Sequence, residues 1–208
     1  MQLLTLDEAR VRLDPIAEAV LVKPCLQAVK EWNKIVKQFP SYAATFSPTT
    51  RAGIIHDLTT RAVRGALPSG ARELTAYGFF VIIVSEDLAI RYKYVVSGQP
   101  RNVATDKQDL LATHKYDAEM VEALVLDGSS EPPTLVTCGY RLDAAGQISR
   151  LSVQCDYGKS TLWRYFVYGE AGTSDNYETL PLDPTDTLGT TVIRSTRKDA
   201  SRDDEAAR

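Results

Sequence analysis

Arg51, His56 and Asp57 fall in one stretch, SPTTRAGIIHDLTTRAVRG, and Arg91, Lys93, Arg101 and Asn102 fall in a second, IRYKYVVSGQPRN. An imidazole beside a carboxylate can move protons near neutral pH, which makes His56 and Asp57 the candidate catalytic pair. Successive residues on a helix diverge by about 100°, however, so the two form no direct dyad, and the competing reading is a partly buried structural His56 bonded to a neighbouring segment. The cations Arg51, Arg91, Lys93 and Arg101 together could hold a phosphate or carboxylate, the arginines through their bidentate forks. Against that stands a solvated strand face plus a buried Arg51 paired with Asp57 or Asp106. Asn102 and Thr105 serve a turn and a helix cap, or contact a ligand or partner beside the cations.

Other chemistries find little purchase. The chain has two histidines, His56 and His114, neither with HxxxH or carboxylate-rich spacing, so no metal site is expected. A GxSxG elbow, a phosphate-binding glycine loop, a dinucleotide fingerprint and HExxH are all absent from the sequence, and no cofactor is expected. A nuclease would need a carboxylate cluster, for which Asp57, Asp106 and Asp109 are the available members. Cys25, Cys138 and Cys155 lack CxxC spacing and fit reduced thiols in a cytoplasmic protein; Cys138 and Cys155 sit among apolar neighbours as inert small hydrophobes.

Composition bounds the rest. The 208 residues are 44% hydrophobic and 25% charged, ordinary for one domain with a filled core. The formal charge of −3 comes from the end of the chain: residues 171–208 hold five Lys/Arg against eight Asp/Glu, which leaves 19 of each sign in residues 1–170. A neutral body lacks the broad basic footprint of a dedicated nucleic-acid binder, though a local basic pocket for a phosphate-bearing ligand or nucleic acid is compatible with it. The apolar run Tyr77 to Val84 is about a third of what a membrane-spanning helix needs, so no integral membrane segment is expected. The N-terminus carries acidic residues early and reads as a helix rather than a secretory signal.

The elements that must position these residues can be read from periodicity and punctuation. Thr5 and Glu8 form a candidate capping box opening a helical region to about Lys37, broken at Pro15 and Pro24. Within it Leu26, Val29, Trp32, Ile35, Val36 and Phe39 make one apolar stripe, placing Trp32 in the core. Ser47-Pro48 starts a second helix that ends near Gly65; its apolar arc of Ile54, Ile55, Leu58 and Ala62 carries Arg51 at the N-terminal end, aimed coreward, while Asp57 and Arg61 suit a surface ion pair. Leu74–Val84 and Leu88–Val96 read as a hairpin in which Arg91 and Lys93 project side by side. A short helix follows Thr105; then come a hairpin around Asp143–Gly146 and a last strand, TLWRYFVY, with Trp163 in the core. The expected fold is α+β, N-terminal helices packed on a mainly antiparallel sheet of about five strands in the order ααββαβββ. Residues 1–170 form a single domain and 171–208 a flexible, acidic-leaning tail.

Three segments in this order, RAGIIHDLTTRAVR, LAIRYKYVVSGQPRNVATDKQDLL and VTCGYRLDAAGQISRLSVQC with Trp163, resemble an uncharacterised bacterial protein family over about residues 48–167. The first carries Arg51, Ala52, Ile55, His56 and Asp57; the second Arg91, Lys93, Arg101, Asn102, Thr105 and Gln108; the third Gly139, Tyr140, Leu142, Asp143, Gly146 and Ile148. Ala104 stands where the family has proline, and Tyr94 where a second lysine is usual. The resemblance implies an encoding gene beside one for a helix-turn-helix protein joined to a metallopeptidase-like domain. It thereby implies the toxin or effector half of a toxin–antitoxin or antiphage defence pair, neutralised by that partner. The alternative is a non-enzymatic binding module that sequesters or senses a transcription regulator.

Overall fold

A computed structural model describes residues 3–76, 79–96, 99–100, 105–125, 131–158, 160–169, 178–181 and 191–194. The first helix, α1 (Leu6–Leu13), opens on the complete capping box: Thr5 accepts from the Glu8 amide, and the Glu8 carboxylate accepts from the Thr5 amide at 2.8 Å. A π-helical turn, Ala17–Val22, then leads into α2 (Lys23–Gln38). Pro24 has no N–H to offer the Val20 carbonyl one turn back, and the Tyr92 hydroxyl donates to that carbonyl instead, at 2.8 Å. The proline break thus becomes a tie between the helical layer and the sheet.

Helices α3 (Pro40–Thr45) and α4 (Pro48–Arg64) follow. Ser47 caps α4 by accepting from the Thr50 amide at 3.1 Å, and Ile55, Thr59, Thr60 and Val63 form its buried side. The strands are β1 (Arg72–Ala76), β2 (Phe79–Ser85), β3 (Leu88–Val96) and the two-residue β4 (Gln99–Pro100). Two short helices, α5 (Asp106–Ala112) and α6 (Ala118–Leu124), cross over to β5 (Thr134–Leu142), β6 (Ile148–Tyr157) and β7 (Ser160–Tyr168). The longer of these strands lie in the order β1-β2-β3-β5-β6-β7, antiparallel throughout except for the parallel pair β3/β5, which the α5–α6 crossover makes possible.

The protein is therefore α+β with its N-terminal helices on a mostly antiparallel sheet, as its periodicity indicates. The expected first hairpin is a three-stranded meander, because the run Leu74–Val84 divides into β1 and β2, which pair with each other. Two short strands, β8 (Glu178–Pro181) and β9 (Thr191–Arg194), interrupt the stretch expected as a tail, and β9 pairs with β7 through Thr161 and Ile193. The β-branched run Thr191-Val192-Ile193 suits a strand. Among the described residues no helix is long and apolar enough to cross a membrane.

Strand alternation divides the interior in two. Phe80, Ile82, Leu88, Ile90, Tyr92, Val136, Cys138, Tyr140, Leu151, Val153, Cys155 and Trp163 face α1–α4 and form the larger core with Trp32 and Ile55. On the opposite face Val81, Ile83, Ala89 and Leu135 pack against Leu111, Met120 and Leu124 of α5 and α6. These two helices cover the β1–β3 side of that face with an apolar layer. Farther across, on β3 and β5–β7, the same face turns polar.

Candidate functional site

Helix α4 begins over the C-terminal ends of β3 and β5, and the β5–β6 turn folds up beside it. Between them lies a partly open cavity of about 180 Å³, lined by Arg51, Ala52 and Ile55 from α4, Tyr94 from β3, Tyr140 and Leu142 from β5, and the turn residues Asp143 and Gly146. Local chemistry holds this turn in shape. Asp143 Oδ1 accepts from the Ala145 and Gln147 amides at 2.8 and 2.9 Å, and Gly146 takes the left-handed φ of +74° that the turn requires. Tyr94 and Tyr140 meet with ring centroids 5.5 Å apart, and burial pushes the Tyr140 hydroxyl pKa up, so it stays a neutral donor and acceptor.

Arg51 is exposed rather than coreward, which corrects the expectation from the apolar arc. It occupies the first turn of α4, where the helix has only begun to meet the sheet. Its guanidinium lies 6.0 Å from the centre of the buried Trp32 ring. Neither Asp57 nor Asp106 pairs with it, and Arg61 forms no ion pair with Asp57; on this helix Arg64 reaches Glu73 at 2.6 Å instead. His56 is partly buried, and burial first, with the Lys93 charge second, lowers its pKa below 6.5; Asp57, exposed, opposes this only through its charge.

Arg91 and Lys93 do project together, but on the other face of the sheet from Arg51. Arg51 lines the cavity with Tyr94, whereas Arg91 and Lys93 alternate with Tyr92 and Tyr94 and point away from it. The single pocket uniting Arg51 with these two cations is therefore not formed: the β-strand period sends them through opposite surfaces. Arg91 is 3% exposed and donates from Nε to Thr137 Oγ1 at 2.9 Å, with Asp156 the strongest of the charges that favour its ionised form. Lys93 lies 5.4 Å from the Phe79 ring centre; burial, reinforced by Arg91, lowers its pKa to about 8. Thr105 directly precedes α5, and its carbonyl accepts from the Asp109 amide at 3.0 Å. Arg101 and Asn102 lie outside the described residues. Among the described residues no three of His, Cys, Asp and Glu cluster as a metal site.

Around Arg91 runs a hydrogen-bonded network. Asp156 accepts from Gln154 Nε2 at 2.7 and 3.0 Å and from the Thr161 hydroxyl at 2.9 Å, while Arg164 Nε donates to Gln154 Oε1 at 3.1 Å. His114 borders it in the left-handed region, φ 53°, where α5 ends with the Lys115 amide bonded to the Leu110 carbonyl. Its Nε2 must donate to the Asp156 carbonyl at 2.9 Å, which leaves Nδ1 to accept from the Tyr116 hydroxyl at 3.0 Å. Burial, with Arg91 adding, lowers its pKa to about 4. Because the folded value lies below the unfolded 6.5, stability is full above about pH 6.5 and falls as the pH drops toward 4, by on the order of 1.4 kcal/mol per pH unit. Urea unfolding between pH 7 and pH 4 should show that slope, and His114→Asn, which tolerates the left-handed backbone, should reduce it.

No family model, curated protein or solved structure matches the chain. The cavity draws on all three sequence segments singled out above: Arg51, Ala52 and Ile55 belong to the first, Tyr94 to the second, and Tyr140, Leu142, Asp143 and Gly146 to the third. Sequence reading missed Arg141, Arg150 and Arg164. The signal was an arginine next to an aromatic or aliphatic residue in each strand, YRL, SRL and WRY, whose alignment only strand pairing reveals.

Proposed function

We propose that the chain acts by binding a partner protein at the Arg51 cavity, and that in the cell it is the effector or toxin half of a toxin–antitoxin or antiphage pair restrained by that partner. The observation that carries the reading is the convergence of three separate sequence segments, around Arg51, Tyr94 and Tyr140, on one cavity with an exposed guanidinium at its rim and two tyrosines within. Arginine and tyrosine are the residues that most often dominate protein interfaces, and a cavity of this size takes a side chain rather than a large cofactor. An acidic or amide-bearing side chain of the partner would meet Arg51 at the rim. The setting comes from the family resemblance, and with it the identity of the partner as a helix-turn-helix protein joined to a metallopeptidase-like domain.

Expression of the chain alone should slow bacterial growth, and co-expression with the regulator encoded beside it should restore growth. In a purified pair, Arg51→Ala should weaken binding about 30-fold, the equivalent of about 2 kcal/mol, while shifting the melting temperature little because the side chain is exposed. A complex that forms without any growth phenotype would move the assignment to a module that sequesters a transcription regulator. Unchanged growth together with no binding of the regulator ends both readings.

A further inference from the structure

The cavity beneath the start of α4 is graded from mouth to floor. Arg51 and Asp143 are exposed at its rim, Ala52 and Leu142 are half-buried along its walls, and Ile55 and Tyr140, each 2% exposed, close its depth. The rim carries both signs of charge. Among the described residues the Arg51 guanidinium makes no hydrogen bond or ion pair, and its ring contact is with Trp32 at 6.0 Å. Asp143 gives Oδ1 to the Ala145 and Gln147 amides, while Oδ2 has no partner among the described residues. Although both groups line one cavity, they do not pair with each other. The Tyr140 hydroxyl is likewise without a hydrogen-bond partner among the described residues. An unmet hydroxyl in the interior is unfavourable unless an occupant meets it.

We propose that this cavity binds a free aromatic α-amino acid, its carboxylate on Arg51, its ammonium on Asp143 Oδ2 and its ring among Ala52, Ile55 and Leu142. Charge decides the class. A lone carboxylate would meet Arg51 but face Asp143, and a lone ammonium would do the reverse; an occupant with both charges on neighbouring atoms answers the whole rim. A residue inside a polypeptide carries neither of these charges on its backbone. Size decides the side chain: a cavity of about 150 Å³ takes a benzene molecule, and the one here holds about 180 Å³. The Tyr140 hydroxyl can meet the phenol of tyrosine, which favours tyrosine over phenylalanine. Amino-acid binding stands on the cavity alone. Its regulatory consequence, displacement of a partner seated in the same cavity, rests on the partner reading proposed above.

The test is isothermal titration calorimetry of the full chain with L-tyrosine and L-phenylalanine. Both should bind saturably at millimolar concentration or below, tyrosine the more tightly. N-acetyl-L-phenylalaninamide, which keeps the ring and loses both charges, should bind about tenfold more weakly or worse. Arg51→Ala and Asp143→Asn should each weaken L-phenylalanine about tenfold. Asparagine keeps the Oδ1 acceptor, so the turn and the melting temperature should hold. A second probe, 3-phenylpropionate, lacks the ammonium: Arg51→Ala should weaken it, whereas Asp143→Asn should tighten it by removing a repulsion. Opposite signs of this kind cannot come from misfolding. In the purified pair, saturating L-phenylalanine should displace the partner. The proposal is overturned if neither amino acid binds, or if Asp143→Asn weakens both probes alike. It is likewise overturned if the capped amide binds as well as the free amino acid, an outcome that assigns the cavity to a protein side chain. A partner that binds undiminished to the ligand-saturated chain overturns instead its seating in this cavity and leaves amino-acid binding intact.

Discussion

Asp156→Ala is expected to destabilise the protein by about 3–5 kcal/mol, read as a fall in the urea midpoint at pH 7. Asp156 is 7% exposed, and three groups depend on it. The fully buried Gln154 donates from Nε2 to both carboxylate oxygens, and the Thr161 hydroxyl donates a third contact. Arg91, desolvated at 3% exposure, relies on the same charge as the strongest counterweight to its burial. Removing the carboxylate strands donors in a low-dielectric interior, where an unmet polar group costs about 1–3 kcal/mol. Asp156→Asn keeps the shape and one acceptor while removing the charge, so it should lose less than the alanine variant. Arg91→Met should then cost less in the Asp156→Asn background than in the wild type, because the cation and the anion answer each other. A double-mutant cycle with no coupling would show that Arg91 is held by Thr137 and its other contacts alone.

How much of this was legible in the sequence depended on the range of the interaction. The Thr5–Glu8 capping box and the Ser47-Pro48 helix start involve residues three or fewer apart, and both are formed where their spacing indicates. Trp32 and Trp163 are buried, as their apolar surroundings imply. Alternation along β3 correctly put Arg91 and Lys93 on one side. Which side of the sheet meets α4 is decided by nonlocal packing, and there the local pattern had no information. The Arg51 arc failed for a related reason: periodicity gives the direction of a side chain but not whether the neighbouring layer extends far enough to cover it. The meander was obscured because Ala76-Tyr77-Gly78-Phe79 carries a single glycine in an aromatic run, too faint a turn signal to divide one strand into two. The seven-residue helix α6 and the parallel β3/β5 pair were missed, the second because a crossover pairing leaves no local mark. The cavity itself was partly foreshadowed, since Arg51 and the Asp143–Gly146 turn were both singled out, but nothing local joined them.

Trp163→Ala should cost a similar 3–5 kcal/mol, with a different signature. The indole is 3% exposed between β6 and the helical layer, paired across the sheet with Cys155, and its Nε1 donates to the Leu4 carbonyl at 2.8 Å. Leu4 in turn donates its amide to Thr134 Oγ1 at 3.1 Å, at the start of β5. The segment Leu3–Leu4 is thus pinned between the first residue of one strand and the middle of another, and it delivers α1 to its place, where Arg12 closes a two-pronged ion pair on Asp87. Truncating the indole leaves a void and an unmet buried carbonyl together, so the loss should be global in urea and also local, with earlier proteolytic cleavage near Leu4. Trp163→Phe separates the two effects: it keeps most of the packing, loses the hydrogen bond, and should cost about 1–3 kcal/mol. If the phenylalanine variant were as unstable as the alanine one, the Leu4 bond rather than the filled volume would be the dominant role of this tryptophan. Cleavage near Leu4 that stayed at the wild-type rate in both would remove the pinning argument.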